Sequence, residues 1–421
     1  MITWVGAPAA APQLEGEDAA PGRLDPSFLP RAEVERLIDA YEGRIADHTD
    51  ALDYRALGLL YLEDARQRSD LARYEAAGDM FRRASDLYPT DPDSRLGLAR
   101  TAYGLHEFSA ALAGAQLVAD QLPGRTDAQL LVVDSLMALG RYEAAEPQLD
   151  QIASTLEIEP PSLLVRRSSL LRAHGENEAA VNLAIDAATA TPDRPLARAA
   201  WFEAFAAQTA LDLGEPAAAQ EYAKAALEHD PSAPTSLITA ARVEAALGDP
   251  TRAVELYRDA TERRPDPTIY AELGELLTSL GDTDGAANAY AVVDTAQTLA
   301  AETGVYDRAI ALSLADRHLD VEAAVAIARG DAARRQDVAA WDTLGWALYA
   351  AGDYESARDA ADRALAYGSR DPRFLYHSGM IAVAQGDLER ARSELSAALE
   401  INPRFQPVEG AVAEETLRRI S

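Results

Sequence analysis

Cysteine is absent from the 421 residues, which excludes disulfides and thiolate metal sites outright. Lysine is nearly absent. Lys224 stands alone, and arginine supplies 38 of the 39 basic residues. A GC-rich coding bias leaves that mark, and so would selection for forked pairing with carboxylates. No run of 18 apolar residues occurs, so no segment reads as a membrane-spanning helix. Positive charge is in deficit, with 39 Lys and Arg against 69 Asp and Glu and a net charge of -30. A polyanionic partner would be repelled, which argues against nucleic acid and anionic membrane surfaces and favours a protein with a basic face.

Signatures of catalysis are missing too. The chain holds no GxxxxGK[ST], HExxH or GxSxG, and His48, His106, His174, His229, His318 and His377 form no ligand-like local cluster. His106 falls in a turn and His229 near a helix end. The run Asp282, Asp284, Gly285 has part of a calcium loop's spelling but lacks the third acid and the terminal glutamate. It falls at a turn and helix start, where Asp is a good cap. No cofactor or metal is implied.

What the chain does have is a period. Ala77, Ala111, Ala145, Ala180, Ala219, Ala253, Ala286, Ala324, Ala357 and Ala391 recur at gaps of 33 to 39 residues, the signature of stacked two-helix units. Twelve residues before each alanine stands a mostly small residue, including Gly58 (with an insertion), Ala99, Ser168, Ala241, Gly274, Gly345 and Gly379. Five before it stand turn glycines at 140, 175, 214, 248, 281, 352 and 386. Twelve after it come prolines such as Pro89, Pro123, Pro231, Pro265 and Pro403. Small residues let two antiparallel helices cross closely. Glycine ends the first helix in a left-handed conformation, and proline ends the second. No unit buries its apolar face alone, so the core must run continuously along the array.

The fullest spelling is Trp341, Leu344, Gly345, Leu348, Gly352, Tyr354 and Ala357, which resembles the tetratricopeptide repeat family. The resemblance covers roughly residues 52–404 and implies an all-α, right-handed α-solenoid of about ten helix-turn-helix repeats. Trp341, Tyr142 and Tyr354 fall at motif positions and are expected in the core. A capping helix is expected over 31–51 and a closing helix over 405–421. Residues 1–30, rich in Ala, Pro and acids, read as a flexible arm. Ala7 and Ala9 to Ala11 resemble the cleavage end of an export signal, although the basic leader and long apolar core are missing. Cytoplasmic and exported settings both stay open.

Three units depart from the period. Extra residues over Glu63 to Tyr74 should lengthen the first hairpin, others fall near Thr191 to Arg198, and Ala291 to Glu302 reads as one uninterrupted helix before Gly304. Either tolerated loop variation or a partner-specific protrusion fits them.

The resemblance also implies that first helices face a concave groove, at positions three before, one after and four after the small residue. These are Arg55, Leu59, Leu62, Arg100 and Tyr103 in the early repeats, and Arg172, Gln208, Arg242, Glu275, Thr278, Ser313 and Asp316 in the middle ones. The last two repeats contribute Asp342, Trp346, Tyr349, Tyr376, Met380 and Val383. Arg100, Tyr103, Arg172, Arg242 and that last group of six are the candidate partner-binding residues. Large aromatics dominate interface energetics, so Trp346, Tyr349 and Tyr376 stand out, unless the closing helix folds over them. The Lys, Asn and Arg clamp of the repeats that capture chaperone tails is not matched. The sequence therefore reads as a noncatalytic scaffold that binds a protein segment or partner subunit in the groove. The alternative is a permanent extrinsic subunit of a membrane-attached or extracellular assembly. An enzyme would need acids such as Asp212, Glu275 and Asp316 to converge there.

Overall fold

A computed structural model describes residues 26–191, 196–303, 307–406 and 408–421, giving only the backbone for 298–303 and 307. The arm up to residue 25, residues 192–195 of the second insertion and Gly304 lie outside the described residues. Among these, all regular structure is helical, and the fold is an all-α helical-repeat solenoid. The chain divides within one helix into two compact units, one ending at Arg166 and the other running from Arg167 to Ser421.

The first unit holds α1 (Arg31–Asp47), α2 (Ala51–Arg68), α3 (Leu71–Leu87), α4 (Pro92–Gly104), α5 (Phe108–Gln121), α6 (Thr126–Ala138), α7 (Tyr142–Ala153) and the start of α8 (Pro161–Ala173). The second continues through α9 (Asn177–Ala190), α10 (Leu196–Asp212), α11 (Pro216–His229), α12 (Pro234–Leu247), α13 (Pro250–Arg263), α14 (Pro267–Ser279), α15 (Thr283–Thr303) and α16 (Asp307–Asp316). It ends with α17 (Val321–Arg334), α18 (Val338–Ala350), α19 (Tyr354–Leu365), α20 (Pro372–Gln385), α21 (Leu388–Ile401) and α22 (Glu409–Ile420).

The ten periodic alanines are buried, each at the crossing of its hairpin. Where the partner position is glycine the crossing is closer than a side chain allows. A Cβ added at Gly274 would lie 2.6 Å from the Tyr290 ring, and one at Gly379 would lie 2.8 Å from Leu395. Helix starts are set by aspartate caps. Asp91, Asp266 and Asp371 each accept backbone N–H groups just ahead of a proline-initiated first helix, which satisfies donors that the helix itself cannot. All seven turn glycines take positive φ, and His106 fills the equivalent position of its repeat at φ 61°.

The first insertion lengthens both helices of its hairpin, to 18 residues in α2 and 17 in α3. The third gives the single 21-residue helix α15. One motif position departs from expectation. Tyr142 is buried and Trp341 half-buried, the latter under the Arg363 guanidinium. Tyr354 is 40% exposed. It opens α19 at the rim, where its ring rests against Tyr349 at 5.8 Å instead of entering the hairpin.

The second unit winds back on itself. The α19–α20 connection lies against the α8–α9 turn, where Asn177 Nδ2 donates to the Arg370 carbonyl at 3.2 Å. The α21–α22 connection lies against later turns, with Asn402 Nδ2 donating to Leu211 O at 2.7 Å and Arg404 Nη1 to Ala246 O at 2.9 Å. Gly214 is irreplaceable there, because a Cβ would sit 1.7 Å from Ile401 O.

Candidate interaction surface

First helices pack side by side along each unit, so their inward residues meet those of the next repeat. That juxtaposition decides what the predicted groove residues do. In the first unit Arg100 Nη2 bonds Asp127 at 2.9 Å, and Arg166 forks both carboxylate oxygens of Asp134 at 2.7 Å. Tyr103 is buried edge-on against Phe108 at 5.2 Å.

In the second unit Arg172 Nη2 reaches Asp212 at 2.8 Å and Asp371 at 2.7 Å. Gln208 donates to Asp212 at 2.6 Å and accepts from Arg242 Nη1 at 2.5 Å. Arg242 then forks Glu272 at 2.8 and 2.9 Å, and Tyr257 donates to the same carboxylate. Burial works against each guanidinium, but the acids outweigh it and hold both Arg172 and Arg242 further into their charged form. These arginines were expected to face a partner, and their charge is instead spent between repeats. A guanidinium half out of water is stable only when paired in this way.

The last repeats build a different surface. Trp346 stacks on Tyr349 at 4.7 Å and on the His377 ring at 4.1 Å, and its Nε1 donates to Asp316 at 2.5 Å. Tyr376 closes the cluster at 5.7 Å from Trp346. Asp342 receives His377 Nδ1 at 2.9 and 3.0 Å. Arg373 lies 3.3 Å from Asp316 and 3.3 Å from Glu409. His377 Nε2 lies 3.4 Å from the other oxygen of Glu409.

Trp346 and Tyr376 are buried, at 6% and 4% exposure, and α22 is the cover. Ala413, Val412, Leu417 and Ile420 of α22, with Phe405 before it, pack on the aromatic cluster together with Met380 and Val383. The six C-terminal candidates therefore form one surface, and the closing helix occupies it.

Electrostatics concentrate beside this surface. Burial and the neighbouring Asp316 push the Glu275 carboxyl up to about 8, against the pull of Arg373. Burial likewise raises Asp316. Glu409 goes the other way, to about 2, because Arg373 and His377 overcome its burial. His377 is raised, since Asp342 and Glu409 outweigh the cost of burying an imidazolium. Of the three acids named for a catalytic reading, Asp212 is held by Arg172 and Gln208, while Glu275 and Asp316 act on each other. Asp282 Oδ1 accepts Gly285 N–H at 2.9 Å as a helix cap. Among the described residues no group of three or more His, Asp or Glu could hold a metal ion. Sequence reasoning passed over Arg373 and His377. The signal was there, as Arg373 lies one helical turn before the groove position Tyr376, and His377 directly after it.

Residues 238–301 and 343–404 match the model of the tetratricopeptide repeat family. Those two stretches carry tetratricopeptide repeats. Yeast Tom70 aligns at 14% identity over 92% of this chain and 92% of its own, with a TM-score of 0.36. A human IFIT1 dimer with PPP-AAAA aligns at 16% over 80% of this chain and 78% of its own, with a TM-score of 0.49. A thermophilic repeat protein of Thermus thermophilus aligns at 22% over 54% of this chain and 100% of its own, with a TM-score of 0.32. No curated protein sequence matches. No described helix is long and apolar enough to cross a membrane.

Proposed function

We propose that the chain is a noncatalytic scaffold that binds a protein segment on the inner face of its second unit, at the aromatic end. Tetratricopeptide arrays suggest a protein-interaction role, and one observation supports this placement. The Trp346, Tyr349, Tyr376 and His377 rings are stacked and hydrogen-bonded into a rigid platform by residues of α16, α18 and α20. Rigid aromatics bind with little ordering cost. The arginine ladder, by contrast, is saturated and offers a partner little charge.

Photo-crosslinking from defined positions in the native host tests this reading. A crosslinker in place of Thr278, exposed on α14, should capture a protein that one in place of Lys224, exposed on α11, does not. Trp346→Ala with Tyr376→Ala should abolish the Thr278 adduct while helical circular dichroism persists. Equal capture from both positions would refute the placement.

A further inference from the structure

The platform of the second unit is complete without the helix that covers it. Arg373 keeps Asp316 and His377 keeps Asp342 if Glu409 departs, so no buried cation is stranded. Trp346 keeps its stack and its hydrogen bond to Asp316. Withdrawing one member of a buried ion pair is ordinarily prohibitive because the other is left uncompensated. This seat escapes that cost.

The cover is lightly fastened for its position. The N-cap of α22, Val408, offers no side-chain acceptor, and its inward face is built of small residues, Gly410, Ala413 and Thr416, flanked by Val412, Leu417 and Ile420. Glu409 is the residue of α22 that meets the platform's Arg373 and His377. A carboxylate in the first turn also suits the positive end of a helix dipole.

We propose that α22 is the resident occupant of the partner site and that the partner presents a helix of the same chemistry. That helix carries a carboxylate in its first turn for Arg373 and His377, then small and apolar residues three and four apart for the aromatic platform. The inference rests on the scaffold reading above and names its partner more closely. Overall charge favours a basic partner. The seat, however, asks for one acid, because Arg373 and His377 are the cations that meet the incoming helix.

Three measurements on the full chain test it, with a fluorescent peptide of residues 408–421 as probe. In Glu409→Arg the new cation faces Arg373 and His377, so α22 should leave. Its amide protection in hydrogen exchange should fall at least tenfold, while α10 to α14 keep theirs. The peptide should then bind Glu409→Arg at least twentyfold more tightly than the unaltered chain, whose own α22 competes at high effective concentration. A peptide carrying Glu409→Gln should bind at least tenfold more weakly than the parent. Glu409→Gln in the full chain supplies a milder opening of the same sign if the arginine variant loses protection throughout.

Two results overturn the proposal: α22 stays protected in both variants, or it opens and the peptide binds no better than a scrambled one. Competition at Thr278 separates this inference from the scaffold reading. If a partner is captured there and the peptide does not displace it, α22 is a structural cover only and the scaffold reading stands. If no partner is captured, that reading fails whatever the peptide does.

Discussion

Arg242 on α12 grips both carboxylate oxygens of Glu272 on α14, across a sequence separation of 30 residues. The pair joins one repeat to the next, and Tyr257 and Gln208 complete it. Arginine serves here and lysine would not, because a planar fork satisfies two acceptors at once.

Removing one side of this pair should cost far more than a surface bridge. Glu272→Ala leaves Arg242 with Gln208 alone and Tyr257 without its acceptor, and a loss of about 3–5 kcal/mol is expected in urea unfolding. Arg242→Met combined with Glu272→Leu should recover most of that loss, since neither charge is then stranded. If Glu272→Ala cost under about 1 kcal/mol, the pair would be only a surface contact.

In the first unit Phe81 fills the space left by two glycines. A Cβ at Gly97 would lie 2.4 Å from its ring, and one at Gly58 would lie 2.9 Å away. Gly97→Ala should therefore destabilise by about 1–3 kcal/mol through overpacking, even though alanine is worth about 1 kcal/mol in a helix. Phe81→Leu should relieve it, giving a coupling of at least about 1 kcal/mol in a double-mutant cycle. Additive losses would mean the ring simply moves aside.

The periodic alanines and turn glycines were legible because each acts within its own hairpin, where spacing along the chain fixes what touches what. The groove arginines fall on first helices, as the register implied, but spacing did not show that each is paired to an acid of another repeat. Whether Arg172 meets a partner depends on how far the array winds, and it reaches Asp371 at a separation of 199 residues. No local pattern encodes that distance. Tyr354 was misplaced for a related reason, since a motif letter assigns a position in a repeat but not its exposure at the rim. The covering of Trp346 by α22 likewise follows from the direction taken by the α21–α22 connection.

His377 makes the seating of α22 depend on pH. Its folded pKa is raised, with Asp342 and Glu409 facing it on two sides and Arg373 and Trp346 beside it. The imidazolium therefore contributes stability that is fully present below its unfolded value near 6.5 and is lost as pH rises through the folded value. Protection factors of α22, corrected for intrinsic exchange, should fall across that rise, whereas His377→Gln should flatten the profile and lower it on the acid side. Glu409, depressed to about 2, adds a separate loss on acidification as pH falls from the ordinary carboxylate range toward that value. A profile of α22 protection unchanged by His377→Gln would remove the imidazolium from the seat.

Glu275 should also act as pH rises, through charge of the other sign. Its carboxyl is raised to about 8 by burial and by Asp316, so the folded chain keeps a proton that the unfolded chain releases near pH 4.5. Its contribution is thus fully present below 4.5 and is lost as pH climbs through about 8, where a buried carboxylate beside Asp316 remains. Glu275→Gln stays neutral at every pH and escapes that loss. Its melting temperature should match the parent at pH 4 and exceed it at pH 9 by at least ~3 °C, the scale of about 1 kcal/mol in a unit of this size. Because the new carboxylate also repels Glu409, the same variant should slow the loss of α22 protection as pH rises. A parent and variant that melt together at pH 9 would mean that Glu275 already finds a cation in the folded chain.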